Sequence, residues 1–433
     1  MTKHKATIAF ILLAYFVSAQ ETLTLQQALG MALQNNYSIQ ISRNETEIAK
    51  NNVSKGNAGM LPELNFNAGG SFSGNDTKQE FVTGNNVDKK NAQSNNINSG
   101  IELNWMIFDG MKMFISYDKL KELNRMNEFA TKMQIENTVA DVINSYYDVV
   151  RQKQLLKFNE NLISIYDERL RVAKTRWEIG KSAKTDYLQA QLDLNLQKSA
   201  RIKQQSTLTE LKTKLNQILA RQADIDYDVT DAIEVDKNLK LDELNNATLK
   251  SNTSLLFYQS NISINQFTIR EFQTEWYPGV SLNANYNFSR TNNQAGFLLY
   301  NQNLGWNVGL SASWNLFNGY NTKRNINNAK ISLINAQLQL DNIKSEIQSS
   351  IYKSYRNYQA ALEALTLEEE NATLAKENMD ILFESFKLGR ANTLEFKEAQ
   401  RSYEDALNNL LQTRYDAKLA ETELLKLKGE LVK

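Results

Sequence analysis

The chain has 433 residues, and its 49 basic and 49 acidic side chains give a formal net charge of zero with no basic tract, which argues against a nucleic-acid partner. It contains no cysteine, and its only histidine is His4, so disulfides, thiolate metal sites and a lipid-modified N-terminal cysteine are excluded. Because most hydrolases and metalloenzymes depend on histidine or cysteine, we expect no enzyme, no metal site and no cofactor.

Residues 1–19 have the pattern of a secretory signal peptide. Lys3 and Lys5 precede a nearly uninterrupted apolar run from Ile8 to Val17, and small residues follow it. The run is shorter than the about 20 residues that a membrane-spanning helix requires, and a retained signal anchor is the alternative. We therefore expect an exported chain. Since no later segment is apolar enough for a transmembrane helix, any membrane span is expected to consist of β-strands.

Three landmarks occur twice in the same order, which predicts an internal duplication. The matching pairs are Pro62 and Pro278, then Gly110 and Gly319 in the turns Phe-Asp-Gly and Phe-Asn-Gly, then Gly180 and Gly389. The two later pairs have the same spacing in the sequence, so no insertion separates them. We predict two repeats, residues 20–230 and 231–433. Each would consist of a helix, two strands that begin near the proline and end at the turn glycine, and a long helical hairpin.

The predicted strands alternate between apolar and polar residues. Leu64, Phe66 and Ala68 form one apolar face in the first repeat, and similar alternation runs from Val280 to Phe288 in the second. A sandwich with one wet face is one reading, but strands of about 10 residues also suffice to cross a membrane when tilted. The segments 71–98 and 289–304 are rich in Asn, Gly, Ser and Thr, and we predict that they are surface loops.

Each repeat also predicts a very long helix, from about Met113 to Glu178 and from about Thr322 to Lys387. At 1.5 Å per residue, each would reach roughly 100 Å, more than a globular domain can hold. An apolar stripe in the second copy, from Ile343 to Leu365, predicts packing against other helices. Gly180 and Gly389 then permit left-handed helix ends. Candidate caps of the next helices are Ser182 or Thr185 in the first hairpin and Asn392 or Thr393 in the second.

Four strands cannot close a membrane barrel, so the pattern requires assembly. Two chains would give an eight-stranded barrel filled by side chains, and three would give twelve strands around an open lumen. A duct therefore favours three or more copies.

These landmarks are similar to those of TolC-like outer-membrane efflux proteins, and the resemblance covers Thr22 to Leu431. It implies an α+β membrane protein in which each chain gives four strands to the β-barrel of a homotrimer, with helical hairpins forming an α-barrel tunnel in the periplasm. The resemblance implies a passive exit duct of a tripartite efflux or type I secretion system. Outer-membrane lipid, a periplasmic adaptor protein and an inner-membrane pump are the implied partners. The resemblance places adaptor docking at the hairpin tips, which are Gly180, Lys181 and Ser182 in the first hairpin and Gly389, Arg390 and Ala391 in the second.

The resemblance also implies a gate. Alignment on the tip glycine assigns the constriction to Glu395 and Glu398, with Asp186 on the first hairpin, although Asp186 and Glu395 are equally explained as helix-start residues. Family members latch their tips with a tyrosine and an arginine, whose places here are taken by Phe386 and Ala391. Either Arg390 substitutes for the missing arginine or the closed state is weaker.

Two other functions remain as alternatives. A trimeric surface stalk or adhesin without transport would also need long helices. An enzyme could use paired carboxylates such as Glu368 and Glu369, but charged runs on long helices are usually solvated faces. Drugs, siderophores, metal ions and polypeptides are all possible cargoes of a duct, because selection occurs at the pump.

Overall fold

The computed structural model describes residues 22–230 and 232–431, so the predicted signal peptide, residues 1–19, lies outside the described residues. The first half contains β1 (Thr22–Leu23), α1 (Leu25–Asn35), α2 (Tyr37–Asn52), β2 (Glu63–Glu80), β3 (Asn86–Phe108), α3 (Lys112–Glu178) and α4 (Lys184–Ile218). The second half contains β4 (Asp228–Val229), α5 (Leu241–Ser251), α6 (Thr253–Gln273), a 3-10 turn (Thr274–Trp276), β5 (Gly279–Asn293), β6 (Tyr300–Ser313), α7 (Asn321–Lys387) and α8 (Thr393–Lys428). Apart from the 3-10 turn, the two halves have the same order of elements.

The prediction of two very long helices is confirmed. Helices α3 and α7 have 67 residues each, and both end where the sequence predicted. Neither contains a proline, and leucine, glutamate, lysine and glutamine recur along them, so no residue interrupts the helical hydrogen bonds. Within the part of the chain that the structure describes, no helix is both long and apolar enough to cross a membrane.

The strands are longer than predicted, and the two predicted loops are largely wrong. Strand β2 has 18 residues, β3 has 23, β5 has 15 and β6 has 14. Residues 71–80 and 86–98 lie within β2 and β3, and only a short turn at 81–85 connects them. These segments are rich in Asn, Ser and Gly, as surface loops are. The hydrogen bonds of a sheet, however, are made by main-chain N–H and C=O groups, which these residues also have.

The four long strands form one antiparallel sheet with the order β2-β3-β5-β6. The register is continuous from Glu63 opposite Asn104 to Glu80 opposite Asn86, apart from one irregularity near Asn75. Strands β3 and β5 join the two halves of the chain in the middle of the sheet. Strands β2 and β6 are therefore edge strands within the described residues, and each presents a row of main-chain groups without a strand partner.

Both strand pairs carry the same indole contact next to their proline. The Nε1–H of Trp105 donates to the carbonyl of Met60 at 3.1 Å, and the Nε1–H of Trp314 donates to the carbonyl of Trp276 at 3.0 Å. Each acceptor lies two residues before a proline, Pro62 or Pro278. Because proline cannot donate to the ladder, the indole helps to fix the chain where the first strand of each pair starts.

The chain divides into two compact units, and each unit draws on both predicted repeats. The strand unit comprises residues 41–132 and 253–346, and the helical unit comprises the described residues up to 40, those in 133–252 and those from 347 onward. The largest core of the helical unit contains Val142, Tyr146, Leu215 and Tyr227. A second core joins Ile351 and Tyr358 of the predicted α7 stripe to Leu424 of α8, which confirms that the stripe packs against a helix.

Candidate gate and docking site at the hairpin tips

The first hairpin tip connects α3 to α4 through Gly180. This glycine has a φ of +73°, and the amide of Lys181 donates to the carbonyl of Arg176 at 2.8 Å, so the predicted left-handed helix end is confirmed. The predicted cap is wrong, because the N-cap of α4 is Ala183, which forms no side-chain hydrogen bond. Neither Ser182 nor Thr185 occupies the capping position.

Aromatic packing stabilises the first tip. The rings of Trp177 and Tyr187 are stacked, with 5.3 Å between their centroids and an interplanar angle of 8°. The Lys184 ammonium lies 5.5 Å from the centre of the Trp177 ring. These contacts join the last turn of α3 to the first turn of α4.

The second tip connects α7 to α8 and does have the predicted cap. Gly389 has a φ of +79°, and Asn392 is the N-cap of α8. The amide of Glu395 donates to Asn392 Oδ1 at 2.9 Å, and the amide of Asn392 donates to Glu395 Oε2 at 3.0 Å. Glu395 therefore has the helix-start role that the sequence offered as an alternative to gating.

The predicted gate residues lie on two different hairpins. Glu395 and Glu398 are both exposed and lie one turn apart on α8, whereas Asp186 is half-buried in the first turn of α4. Among the described residues the Glu398 carboxylate forms no hydrogen bond or ion pair. The gating role of these three residues stays a prediction.

Phe386, at one of the two latch positions, contacts residues of both hairpins. Phe386 and Phe396 are buried and stacked, with 5.4 Å between their centroids. Arg176 of the first hairpin donates to the carbonyl of Phe386, and its Cζ lies 4.7 Å from the centre of that ring. Arg390 forms no side-chain hydrogen bond or ion pair in the part of the chain that is described, so within one chain the linking arginine is Arg176.

A buried ionic cluster on the same helices was not predicted. Asp193 of α4 lies 3.0 Å from Arg169 of α3 and 3.2 Å from Lys397 of α8, and Gln189 donates to it at 2.8 Å. Arg169 is 1% exposed. The sequence held one signal, because Arg169 takes a place in the apolar stripe between Leu162 and Val172, where a charge is expensive unless it is paired.

A second polar contact lies further along α8. The Tyr166 hydroxyl of α3 donates to Glu404 Oε1 at 2.9 Å. Burial raises the pKa of the Glu404 carboxyl above its ordinary value of 4.5, and the hydrogen bond from Tyr166 only partly offsets this. Burial likewise raises the pKa of the Tyr166 hydroxyl, and the charge of Glu404 adds to that effect. Tyr166 therefore stays protonated, and its hydroxyl remains the hydrogen-bond donor to Glu404.

A basic cleft of about 460 Å³ opens between the two tips. Its lining includes the four basic side chains Arg171, Arg176, Lys181 and Lys387, together with the apolar residues Val172, Ile179 and Leu388 and the tip glycine Gly389. Lys181 and Gly389, which were predicted to dock an adaptor, are thus brought to one surface. Mixed basic and apolar linings suit recognition of another protein better than binding of a small apolar ligand.

Comparison with known proteins identifies the family. The model of the family described as "Outer membrane efflux protein" matches residues 28–221 and 244–430. The chain is 21% identical over 422 residues to the outer membrane efflux protein BepC of Brucella suis, covering 94% of this chain and 86% of BepC. It is 19% identical over 421 residues to the proteases secretion protein PrtF of Dickeya chrysanthemi, covering 95% and 89%.

The fold has close counterparts among solved structures. The outer membrane protein VceC of Vibrio cholerae superposes with a TM-score of 0.74 at 14% identity, and the alignment covers 94% of this chain and 96% of VceC. This likeness extends over nearly the whole chain. The chain therefore belongs to the outer membrane efflux protein family, and the predictions that it lies in the outer membrane and is the channel of a tripartite efflux or type I secretion system are confirmed.

Proposed function

We propose that three copies of this chain form a passive exit duct, in which the strand unit provides the membrane-spanning strands and the helical unit provides a periplasmic tunnel. The observation that carries the proposal is the four-stranded sheet with two open edges, β2 and β6. Pairing β6 of one copy with β2 of the next satisfies both edges, and three copies give a closed ring of twelve strands. A smaller ring of eight would leave no open lumen.

The exposed side chains of the sheet support a lipid-facing role. Phe66 on β2 and Trp306 and Leu310 on β6 are each more than two-thirds exposed. A sheet that places such large apolar groups in water would aggregate, whereas acyl chains of the outer membrane would cover them.

The duct arises from an internal duplication of a helix, two strands and a helical hairpin. Three repeated features support this: the order of elements, the left-handed glycines at Gly180 and Gly389, and the indole contacts of Trp105 and Trp314. Repetition of a hydrogen bond at equivalent places is harder to obtain by chance than repetition of composition.

The duct is opened at its tips by other proteins. A periplasmic adaptor docks on the basic cleft and the two tip turns, and an inner-membrane pump supplies energy and selects the cargo. The cleft supports this because its basic and apolar lining is solvent-exposed at both turns. The chain has no catalytic role in this scheme, and the family consists of channel proteins.

Glu395 and Glu398 form the constriction. They are exposed on one face of α8, so a threefold axis would bring six carboxylates together. Such a ring favours cations and repels anions.

The test is single-channel conductance of the purified protein in a planar lipid bilayer, with the oligomer's mass measured in the same detergent. We expect a trimer and discrete, cation-preferring conductance steps. A membrane-inserted trimer that stays silent, even after the tips are loosened by mutation, would contradict the duct and favour the stalk or adhesin. If the trimer conducts but export does not change when the adaptor is removed, the docking scheme is contradicted.

A further inference from the structure

The single negative charge of Asp193 is paired with two positive side chains, Arg169 and Lys397. Arg169 of α3 lies 3.0 Å from Oδ2, and Lys397 of α8 lies 3.2 Å from Oδ1. Arg169 and Asp193 are almost fully buried, with 1% and 8% of their side chains exposed, whereas the Lys397 side chain is 45% exposed. Two of the three charges are therefore fixed in the interior, and the third remains in reach of water.

Because the three side chains differ in burial, the Arg169–Asp193 contact is costly to break, whereas the Lys397–Asp193 contact is reversible. Separating Arg169 from Asp193 would leave a buried charge without a partner, which is strongly unfavourable. Moving Lys397 away leaves the neutral Arg169–Asp193 pair behind and returns the ammonium ion to water, which costs far less. The contact that can break is thus the one between hairpins, while the pair within the first hairpin persists.

The position of Lys397 gives the link a consequence. It lies between Glu395 and Glu398 on α8, so the helix that carries both proposed constriction residues is held to α4 at this level. Asp193 also accepts from Gln189 on its own helix, which keeps the carboxylate aimed while Lys397 moves. Glu404, another acidic residue of α8, accepts its hydrogen bond from the Tyr166 hydroxyl of α3.

We propose that Lys397 is a releasable clasp: its contact with the buried Asp193 holds α8 against the first hairpin, and opening of the tips breaks this contact without breaking the Arg169–Asp193 pair. The inference rests on the proposed duct and names a contact that its opening has to separate. Lys397 is a positioning residue, since it acts through the placement of α8.

The experiment measures the separation of the tips inside one chain. The sequence contains no cysteine, so spin labels can be attached to cysteines introduced at the exposed positions Thr185 and Arg390 without removing native ones. Labelled chains are diluted into unlabelled chains, so that the pulsed dipolar signal reports distances within a chain. Lys397→Gln should shift the distance distribution to longer values and broaden it, whereas Lys397→Arg, which keeps the charge, should restore the original distribution.

Arg401→Gln is the matched control. Arg401 lies one turn further along α8, carries the same charge and forms its ion pair with Asp405 on its own helix at 3.9 Å. We expect its tip distance to equal that of the parent protein. The clasp is overturned if Lys397→Gln gives the same distribution as Arg401→Gln.

A second parent variant, which lacks the buried pair, distinguishes loss of the Lys397 contact from a general destabilisation of the tips. Replacing the buried pair together, as Arg169→Met with Asp193→Leu, removes both the charge and the acceptor oxygen that hold Lys397, without leaving a lone buried charge. In this background Lys397→Gln should change nothing further, and an additional shift as large as in the parent would overturn the proposal. Single-channel conductance of the same variants is recorded separately. A parent protein that does not conduct would count against the duct, whereas the measured tip distances test the Lys397 contact independently.

Discussion

The guanidinium of Arg176 donates a hydrogen bond to the main-chain carbonyl of Phe386 and lies over the ring of the same residue, with 4.7 Å between Cζ and the ring centroid. The carbonyl also accepts from the amide of Gly389 at 3.1 Å. One side chain of the first hairpin therefore fixes both the ring and the last turn of α7. Phe386 and Ala391 take the two latch positions, and within the chain Arg176 of the opposite hairpin contacts the first of them.

Arg176→Ala should weaken the contact between the hairpin tips. It removes a charge-assisted hydrogen bond and a cation–π contact, and we expect the free energy of unfolding to fall by about 2 kcal/mol. Thermal unfolding and the distance between labels at the two tips would measure the change. Arg171→Ala is the control, because Arg171 is exposed and pairs with Glu168 on its own helix at 2.5 Å. Equal effects of the two substitutions would argue against a latch.

The helices and tip glycines could be predicted because their causes are local. A long run that is rich in leucine, alanine, glutamine, glutamate and lysine and contains no proline indicates a helix. A glycine between two such runs marks the left-handed end of the first helix, as at Gly180 and Gly389. The capping box of Asn392 and Glu395 likewise lies within four residues of sequence.

What could not be predicted depends on residues that are distant in the sequence. Lys397 meets Asp193 across 204 positions and Arg176 meets Phe386 across 210, and no periodicity links these pairs. The extent of β2 and β3 was missed for a similar reason, since strand ends are decided by pairing with another strand and not by the composition of each one. The stacking of Trp177 on Tyr187 at the first tip was missed as well, because it joins residues on two different helices.

Gly389→Leu should abolish export and leave the oligomer intact. A side chain at a φ of +79° costs about 1–2 kcal/mol, and its Cβ would lie 3.4 Å from Arg176 Nη2, at the surface proposed for docking. Export would be measured in cells that also express the adaptor and pump, and the oligomer by its mass. Gly84→Leu is the matched control, with a φ of +80° and no heavy atom within 4 Å of its Cβ. Retained export by Gly389→Leu would show that this turn is not a docking surface.

Glu395→Gln combined with Glu398→Gln should raise single-channel conductance and weaken the preference for cations. Glutamine can keep the capping box with Asn392, so the start of α8 is expected to stay intact while the charge is removed. The control combines Glu363→Gln with Glu370→Gln, two exposed carboxylates on α7. If conductance and ion preference are the same in both double variants, the two glutamates do not form the constriction.

Glu404→Gln should stabilise the protein at neutral pH. Burial raises the pKa of this carboxyl, so between its ordinary value of 4.5 and the raised value the folded state holds a proton that the unfolded state has lost. Stability therefore falls as pH rises through that window and is not regained above it. Glutamine has no charge to bury, and its Oε1 can still accept from the Tyr166 hydroxyl.

The measurement is the unfolding midpoint of Glu404→Gln and of the parent protein from neutral pH down to 4.5. The advantage of the variant should be greatest at neutral pH and should shrink on acidification, because the parent then protonates Glu404 and loses the same penalty. Glu363→Gln, at an exposed position on the neighbouring helix α7, should show no such convergence. An advantage that stays constant with pH would mean that packing, and not the buried charge, distinguishes the Glu404 variant from its parent.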